Sequence, residues 1–217
     1  MERTITVKGT GSLSISPDMT VVSLTVKSTD KEYDKAMQQA GEKLSALQGA
    51  LAGIGFEKSS LKTSNFNVNT EYESFRDKDG NYKNVFAGYS CIQGLKLEFD
   101  FDMERLSEVL SAIAGCISEP ELYIRFTVRD KSAVSEALLA SAAENARKKA
   151  EILAKASGVT LGELLSINYN WGEFNVYSNT NYMVAEDCAR EAKCMSMDVT
   201  PEDINVSDSA AFIWTIE

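Results

Sequence analysis

Between Leu61 and Phe99 the sequence runs twice through an alternation of apolar and polar residues, with a turn signal in the middle. Phe66, Val68, Thr70 and Tyr72 fall at every second position of the first stretch. Leu95, Leu97 and Phe99 do so in the second, and Asp79-Gly80-Asn81 separates the two. A period of two sends successive side chains to opposite faces of an extended chain, and Asp-Gly favours a tight reversal. The segment therefore predicts a long β-hairpin. A hairpin is not stable alone in water, so the rest of the chain must cover one of its faces.

That cover is visible in the remaining pattern. Thr4 to Ser16 alternates Ile5, Val7, Leu13 and Ile15 around Gly9 and Gly11, predicting a strand with a glycine bulge or bend. After the turn signal Pro17-Asp18, Val22, Leu24 and Val26 predict a second strand that pairs with the first as a hairpin. Thr29 and Glu32 have capping-box spacing, and Ala36, Ala40, Leu44, Leu47 and Leu51 then follow a helical period ended by Gly53 and Gly55. Asp102 is the expected N-cap of a shorter helix bearing Leu106, Val109 and Ile113, stopped at Glu119-Pro120. Tyr123 to Arg129 reads as a short strand. Ser132 is expected to cap the longest helix, Ala133 to Ser157, closed by Gly158. Within it Ala142, Ala146, Ala150 and Ala154 recur every four residues, a small-residue row that lets a helix axis lie close to a sheet or to another helix. Leu164 to Tyr177 reads as a strand, 178–197 as polar and aperiodic, and Asn205 to Glu217 as the closing strand.

With only three prolines and no linker-like stretch, these elements give the order ββαββαβαββ. The fold class is α+β, a mainly antiparallel sheet with helices packed on one face. Residues 1–217 are read as one domain, with two sub-lobes of about 1–100 and 101–217 as the alternative.

Candidate chemistry is sparse. Histidine is absent from the 217 residues, which excludes Ser-His-Asp and Cys-His catalysis and imidazole metal sites. Thirty-two acids against 22 bases give a net charge of −10, which disfavours nucleic acid and anionic membrane surfaces as partners. From Glu163 onward there are ten acids and two bases, Arg190 and Lys193. Gly9-Thr10-Gly11 lacks the Gly-Lys-Ser/Thr of a phosphate loop. Asp77, Asp79 and Asn81 imitate a calcium loop without its bidentate Glu. Arg147, Lys148 and Lys149 spread over about 200° of helix arc and make no single patch. Glu186-Asp187 and Glu202-Asp203 are sequence neighbours whose side chains diverge in a strand. Tyr72, Tyr82, Tyr89, Tyr169, Trp171, Tyr177 and Tyr182 suit a core or a contact surface.

Cys91 and Cys116 sit in apolar runs and read as buried small hydrophobes. Cys188 and Cys194, with five residues between them in a polar stretch, could pair as a disulfide or as thiols, but do not match a CxxC redox or zinc spacing. No catalytic residue, cofactor site or metal site is predicted. The first residues show no charged segment followed by an apolar one, and no run approaches about 18 apolar residues. The expectation is a cytoplasmic protein without a transmembrane segment, or a periplasmic or envelope protein if a leader has been removed.

A set of short motifs, in order, resembles the SIMPL-domain family, a bacterial group of undefined biochemical function that includes periplasmic immunogenic proteins. They are Val7-Lys8-Gly9-Thr10-Gly11 with Pro17-Asp18, Gly53-Ile54-Gly55, Lys62-Thr63, Tyr72 and Gly88-Tyr89. Ala137-Leu138, Ala142, Ala146, Lys149-Ala150 and Ala154 lead to Gly158 and Leu161-Gly162, and Pro201-Glu202-Asp203-Ile204-Asn205-Val206 closes the set. The resemblance implies a compact α+β domain without a known catalytic residue set, often exported to the periplasm or envelope. It also implies members that assemble into large rings and members linked to stress tolerance. The segment from Asn179 to Val199 departs from the family pattern.

Together these readings favour a non-enzymatic, self-associating protein, a homo-oligomer acting through protein–protein surfaces. The alternatives are an envelope stress-tolerance or chaperone-like factor, and a thiol-dependent enzyme or metal binder using Cys188 and Cys194.

Overall fold

The computed structural model describes residues 3–76, 81–116, 121–170, 175–184 and 199–217. The elements run β1 (Thr4–Ile15), β2 (Met19–Asp30), α1 (Tyr33–Gly53), β3 (Leu61–Arg76), β4 (Tyr82–Asp100) and α2 (Met103–Ala114). They continue with β5 (Glu121–Thr127), α3 (Lys131–Ala156), β6 (Leu161–Asn168), β7 (Tyr177–Val184) and β8 (Ile204–Ile216). The α+β class and the element order hold, with two changes. The strands form two sheets, ordered β1-β8-β6 and β3-β4-β2-β5-β7. The stretch read as aperiodic contains β7, whose Tyr-Ser-Asn-Thr-Asn-Tyr run lies at a sheet edge. An edge strand can be held by backbone hydrogen bonds without an apolar alternation to announce it. The chain divides into two compact units. One comprises Met1–Asp18, Thr127–Asn179 and Pro201–Glu217; the other comprises Met19–Phe126 and Thr180–Thr200.

In the first unit, β1 pairs antiparallel with β8 without interruption from Thr4↔Thr215 to Ile15↔Ile204. The glycines of β1 therefore form no bulge. They are where α3 lies against the strand. A Cβ on Gly9 would stand 2.0 Å from the Ala142 carbonyl oxygen and 2.7 Å from Ala146 Cβ, and one on Gly11 would stand 2.1 Å from the Leu138 carbonyl oxygen. Ala142, Ala146, Ala150 and Ala154 are all buried, so the alanine row and the glycine pair are complementary halves of one contact. Ala146 and Ala150 pack with Val7, Ala210, Phe212 and Trp214, while Val134 and Leu138 pack with Val128, Val176, Ile204 and Val206. Asp130, not Ser132, caps α3, its carboxylate accepting from the Ala133 amide at 2.8 Å.

The hairpin expected between β1 and β2 does not form, since β1 has β8 as its neighbour and β2 lies between β4 and β5. Pro17-Asp18 redirects the chain without folding it back. The Asp18 amide donates to the Thr127 carbonyl at 3.1 Å, and its carboxylate accepts from the Arg129 amide at 2.7 Å.

In the second unit, β4 is flanked by β2 and β3 in antiparallel register. Val22, Leu24 and Val26 of β2 and Leu95, Leu97 and Phe99 of β4 make one face. Leu47 and Leu51 of α1, Leu106, Val109 and Ile113 of α2, and Leu122, Ile124 and Phe126 of β5 complete the core there. Asp102 caps α2 as expected, accepting from Glu104 and Arg105 amides. The capping box at Thr29 is not used. Thr29 still lies in β2 opposite Ser90, Glu32 occupies the N-cap without a side-chain cap bond, and Asp30 accepts from the Glu32 amide at 3.0 Å. Sheet pairing outcompetes the helix start by three residues.

Two substitutions test these contacts. Gly9→Ala or Gly11→Ala forces α3 off β1 and should cost about 1–3 kcal/mol, as overpacking does, read as a drop in thermal midpoint. Thr20 is fully buried in β2 with its hydroxyl unpaired. Thr20→Val keeps the shape, removes the unsatisfied group, and should raise stability by about 1 kcal/mol in denaturant titration.

Candidate interaction surface

The β3–β4 hairpin carries the largest share of exposed apolar side chains. β3 is the edge of its sheet, and from Lys62 to Arg76 no residue of it is buried. Cross-strand pairs fix its faces. Val26 opposes Gln93 and Phe66, Ser28 opposes Cys91 and Val68, and Asp30 opposes Tyr89 and Thr70. These residues share the face that α1 covers, where the Ser28 hydroxyl donates to the Ala36 carbonyl at 2.9 Å. The helix packs on β2 and β4, leaving Phe66 on the outer strand 44% exposed.

Further out, the register passes from Glu71↔Gly88 to Tyr72↔Phe86 and leaves Ala87 unpaired. This bulge needs glycine. Gly88 has φ of 150°, and a Cβ there would lie 2.5 Å from the Asp30 carbonyl oxygen. Beyond the bulge Tyr72 is 61%, Tyr82 77% and Phe86 44% exposed, with Phe75 and Val85 also exposed. Tyr72 meets Phe86 edge-on at 6.3 Å, Phe86 meets Tyr89 at 5.3 Å, and Tyr89 meets Tyr33 of α1 at 5.6 Å. Four rings thus run in a row from the hairpin to the first turn of α1. The Arg76 guanidinium sits 5.8 Å from the Tyr82 ring centre. Glu71 and Lys27 form an ion pair at 3.7 Å. The Ser90 hydroxyl first, and the Lys27 ammonium second, hold the Glu71 carboxyl below the usual carboxylate range.

The other residues singled out in the sequence have different fates. Cys91 is fully buried, and burial pushes its thiol up; Cys116 is half-buried beside the core. Cys188, Cys194, Glu186, Asp187, Trp171, Asp77 and Asp79 lie outside the described residues. Tyr169 donates to Asp208 at 2.7 Å, and that carboxylate raises the phenol. The Tyr177 ring lies 5.0 Å from the Lys131 ammonium, and Tyr182 is partly exposed. Asp203 accepts from the Ser16 hydroxyl at 2.7 Å, and the Glu202 carbonyl accepts from the Ser178 hydroxyl at 2.6 Å. Arg147 pairs with Glu151, and Lys149 donates to the Lys8 carbonyl.

An open groove beside the end of α1 and the polar face of α2 includes Ile54, Glu104, Arg105 and Glu108. Its guanidinium is committed. Arg105 donates to the Ile54 carbonyl at 2.6 Å and to Glu108 at 2.9 Å, and lies over the Phe56 ring at 4.2 Å. Among the described residues no group of three or more Cys, Asp or Glu is arranged to hold a metal ion, and no helix is long and apolar enough to cross a membrane.

Of the aromatic surface, the alternation of Phe66 with Tyr72 was readable from the sequence. Phe75, Val85 and Phe86 gave no such signal, because the bulge at Gly88 shifts the parity of β4 relative to β3.

Similarity to known proteins supports one assignment. Residues 5–214 match SIMPL, described as a protein of unknown function (DUF541). The 26 kDa periplasmic immunogenic protein of Brucella melitensis biotype 1 is 29% identical over 167 residues, covering 76% of this chain and 65% of that protein. Its Brucella abortus counterpart matches at the same 29% over 167 residues. The uncharacterized protein YggE of Edwardsiella ictaluri is 27% identical over 198 residues, 86% of this chain and 76% of that one. The match thus spans a little under two thirds of the Brucella proteins' length. With the family pattern extending over almost every element from β1 to β8, the chain belongs to the SIMPL family.

Proposed function

We propose that this protein acts by self-association through the β3–β4 hairpin, as a non-enzymatic component of the periplasm or envelope. The observation that carries the reading is the uncovered edge strand with its row of aromatic side chains. Contiguous exposed apolar surface of this kind is uncommon on monomers, and Tyr and Phe are enriched where interfaces form. An edge strand adds backbone hydrogen bonds to a second copy, and side chains at alternate positions set the register. The compartment is taken from the Brucella relatives, whose name describes those proteins as periplasmic.

Light scattering tests the reading. The parent should exceed its 23.8 kDa chain mass at micromolar concentration, and Tyr72→Lys combined with Phe86→Lys should return it to one chain with unchanged circular dichroism. A parent that stays at one chain mass at every concentration would sink the proposal.

The base of the hairpin gives a pH prediction. The Glu71 carboxyl is held low when folded, so its contribution is present above its unfolded value and is lost as pH falls through the folded one. Acid should therefore speed hydrogen exchange of the β3 amides near Glu71. Glu71→Gln should show that faster exchange already at neutral pH and lose the acid dependence.

A further inference from the structure

The two edges of the three-stranded sheet are treated oppositely. At β1, two of the outward backbone groups are occupied by α3. The Thr10 amide donates to the Asn145 side-chain oxygen at 3.1 Å, and the Lys8 carbonyl accepts from the Lys149 ammonium at 3.2 Å. Asn145 and Lys149 are one helical turn apart, so a single face of α3 obstructs the middle of that edge against an added strand.

At β6, the other edge, no such guard is present among the described residues. Every residue from Glu163 to Asn168 is exposed, including Leu164 at 46%, Leu165 at 46% and Ile167 at 54%. Register shifts flank Leu164. The pairing that results sets Leu164 beside Trp214 and Ile167 beside Phe212, on the face that α3 covers over β1 and β8. Leu164 and Ile167 thus carry the apolar stripe of Phe212 and Trp214 out past the core. A strand with three exposed aliphatic side chains, beside an edge that is closed, is a hazard unless something occupies it.

The charge around β6 selects the occupant. From Leu161 to Glu217 the described residues contain no Lys or Arg, but include Glu163 in β6 and Asp208 and Glu217 in or beside β8. Two basic residues of α3 are engaged elsewhere, Lys149 on β1 and Arg147 on Glu151. A second copy of this strand would add another Glu163 to the sheet and bring no Lys or Arg from β6 to offset it. We propose that β6 is a strand-addition site for an extended polypeptide segment that alternates apolar with basic residues. The apolar side chains of the guest would lie against Leu164 and Ile167, its cationic ones would meet Glu163, and its backbone would continue the ladder. This site lies in the other unit from the hairpin and stands without the self-association reading.

Fluorescence anisotropy with the full chain and labelled synthetic peptides, each eight residues long to match β6, provides the test. A Leu-Lys alternating peptide should bind with a micromolar Kd. A Leu-Glu peptide, and a Leu-Lys peptide N-methylated at alternate amides, should each bind at least about tenfold more weakly, a difference of about 1.4 kcal/mol. Glu163→Lys should invert the preference between Leu-Lys and Leu-Glu, and Leu164→Ser with Ile167→Ser should weaken both. On the parent, hydrogen exchange should slow at the β6 amides when the Leu-Lys peptide is added. Equal binding of the N-methylated peptide would reduce the interaction to nonspecific ion pairing and overturn the site. So would unchanged exchange at β6, or protection there that grows with protein concentration in the absence of peptide.

Discussion

Where β1 passes beneath α3, backbone lies against backbone, and the three-stranded unit is built around that approach. A Cβ at Gly9 or Gly11 would enter the van der Waals envelope of a helix carbonyl, so the separation is set by the absence of side chains on the strand and by methyl groups on the helix. Only at that separation can Asn145 and Lys149 reach the Thr10 amide and the Lys8 carbonyl. The same approach also buries Ala146 and Ala150 against Phe212 and Trp214. A row of larger residues would bury more area but lift the helix off the edge it closes. Close packing and edge protection are therefore one device, and the second fails with the first.

Helix placement decides which strands can meet a partner. Among the described residues, α1 and α2 cover β2 and β4 in the second unit and leave most of β3 exposed; in the first, α3 covers β1 and β8 and leaves β6 exposed from Glu163 to Asn168. Each bare strand is rich in aliphatic or aromatic side chains, but the two differ in chemistry. β3 and its neighbour display aromatic rings, mixed charges and a bulged register. β6 displays leucine and isoleucine with one acid, Glu163, and no base. Surfaces so unlike suit different partners, which is why a second copy is proposed for the hairpin and a cationic segment for β6.

Much of this architecture was legible in the sequence, and the failures have identifiable causes. The alternation at Leu95 to Phe99 and the period of four from Ala142 to Ala154 are each dictated by a core face, and the alternation at Phe66 to Tyr72 marks a real strand whose side chains stay exposed. The partnership of β1 with β8 was not readable, since pairing across the length of the chain leaves no local trace, whereas Pro17-Asp18 imitates a hairpin turn. β7 escaped because an edge strand of Asn, Ser and Thr has no apolar period. At the candidate surface, Tyr72 could be placed from its own strand. Phe86 could not, because its exposure depends on a bulge of one residue that only the pairing with β3 reveals.

The same physics bears on the proposal that this chain works through its strand edges. With histidine absent, general acid–base work would fall to carboxylates, thiols or phenols held in unusual surroundings. Several of those groups among the described residues are engaged in holding the backbone or one another. Asp102 and Asp130 cap helices, Asp18 receives the Arg129 amide, Asp208 receives Tyr169, Glu71 pairs with Lys27, and Cys91 lies in the core. Arg105, the cation best placed in a groove, closes the end of α1 through the Ile54 carbonyl. Side chains used in this way are fixed, and a fixed polar group that already has its partner gives a substrate little to bind. Unpaired strand edges beside exposed apolar residues are the reverse case, with hydrogen-bonding capacity and apolar area both available to an incoming chain. Recognition by such edges depends on shape and register.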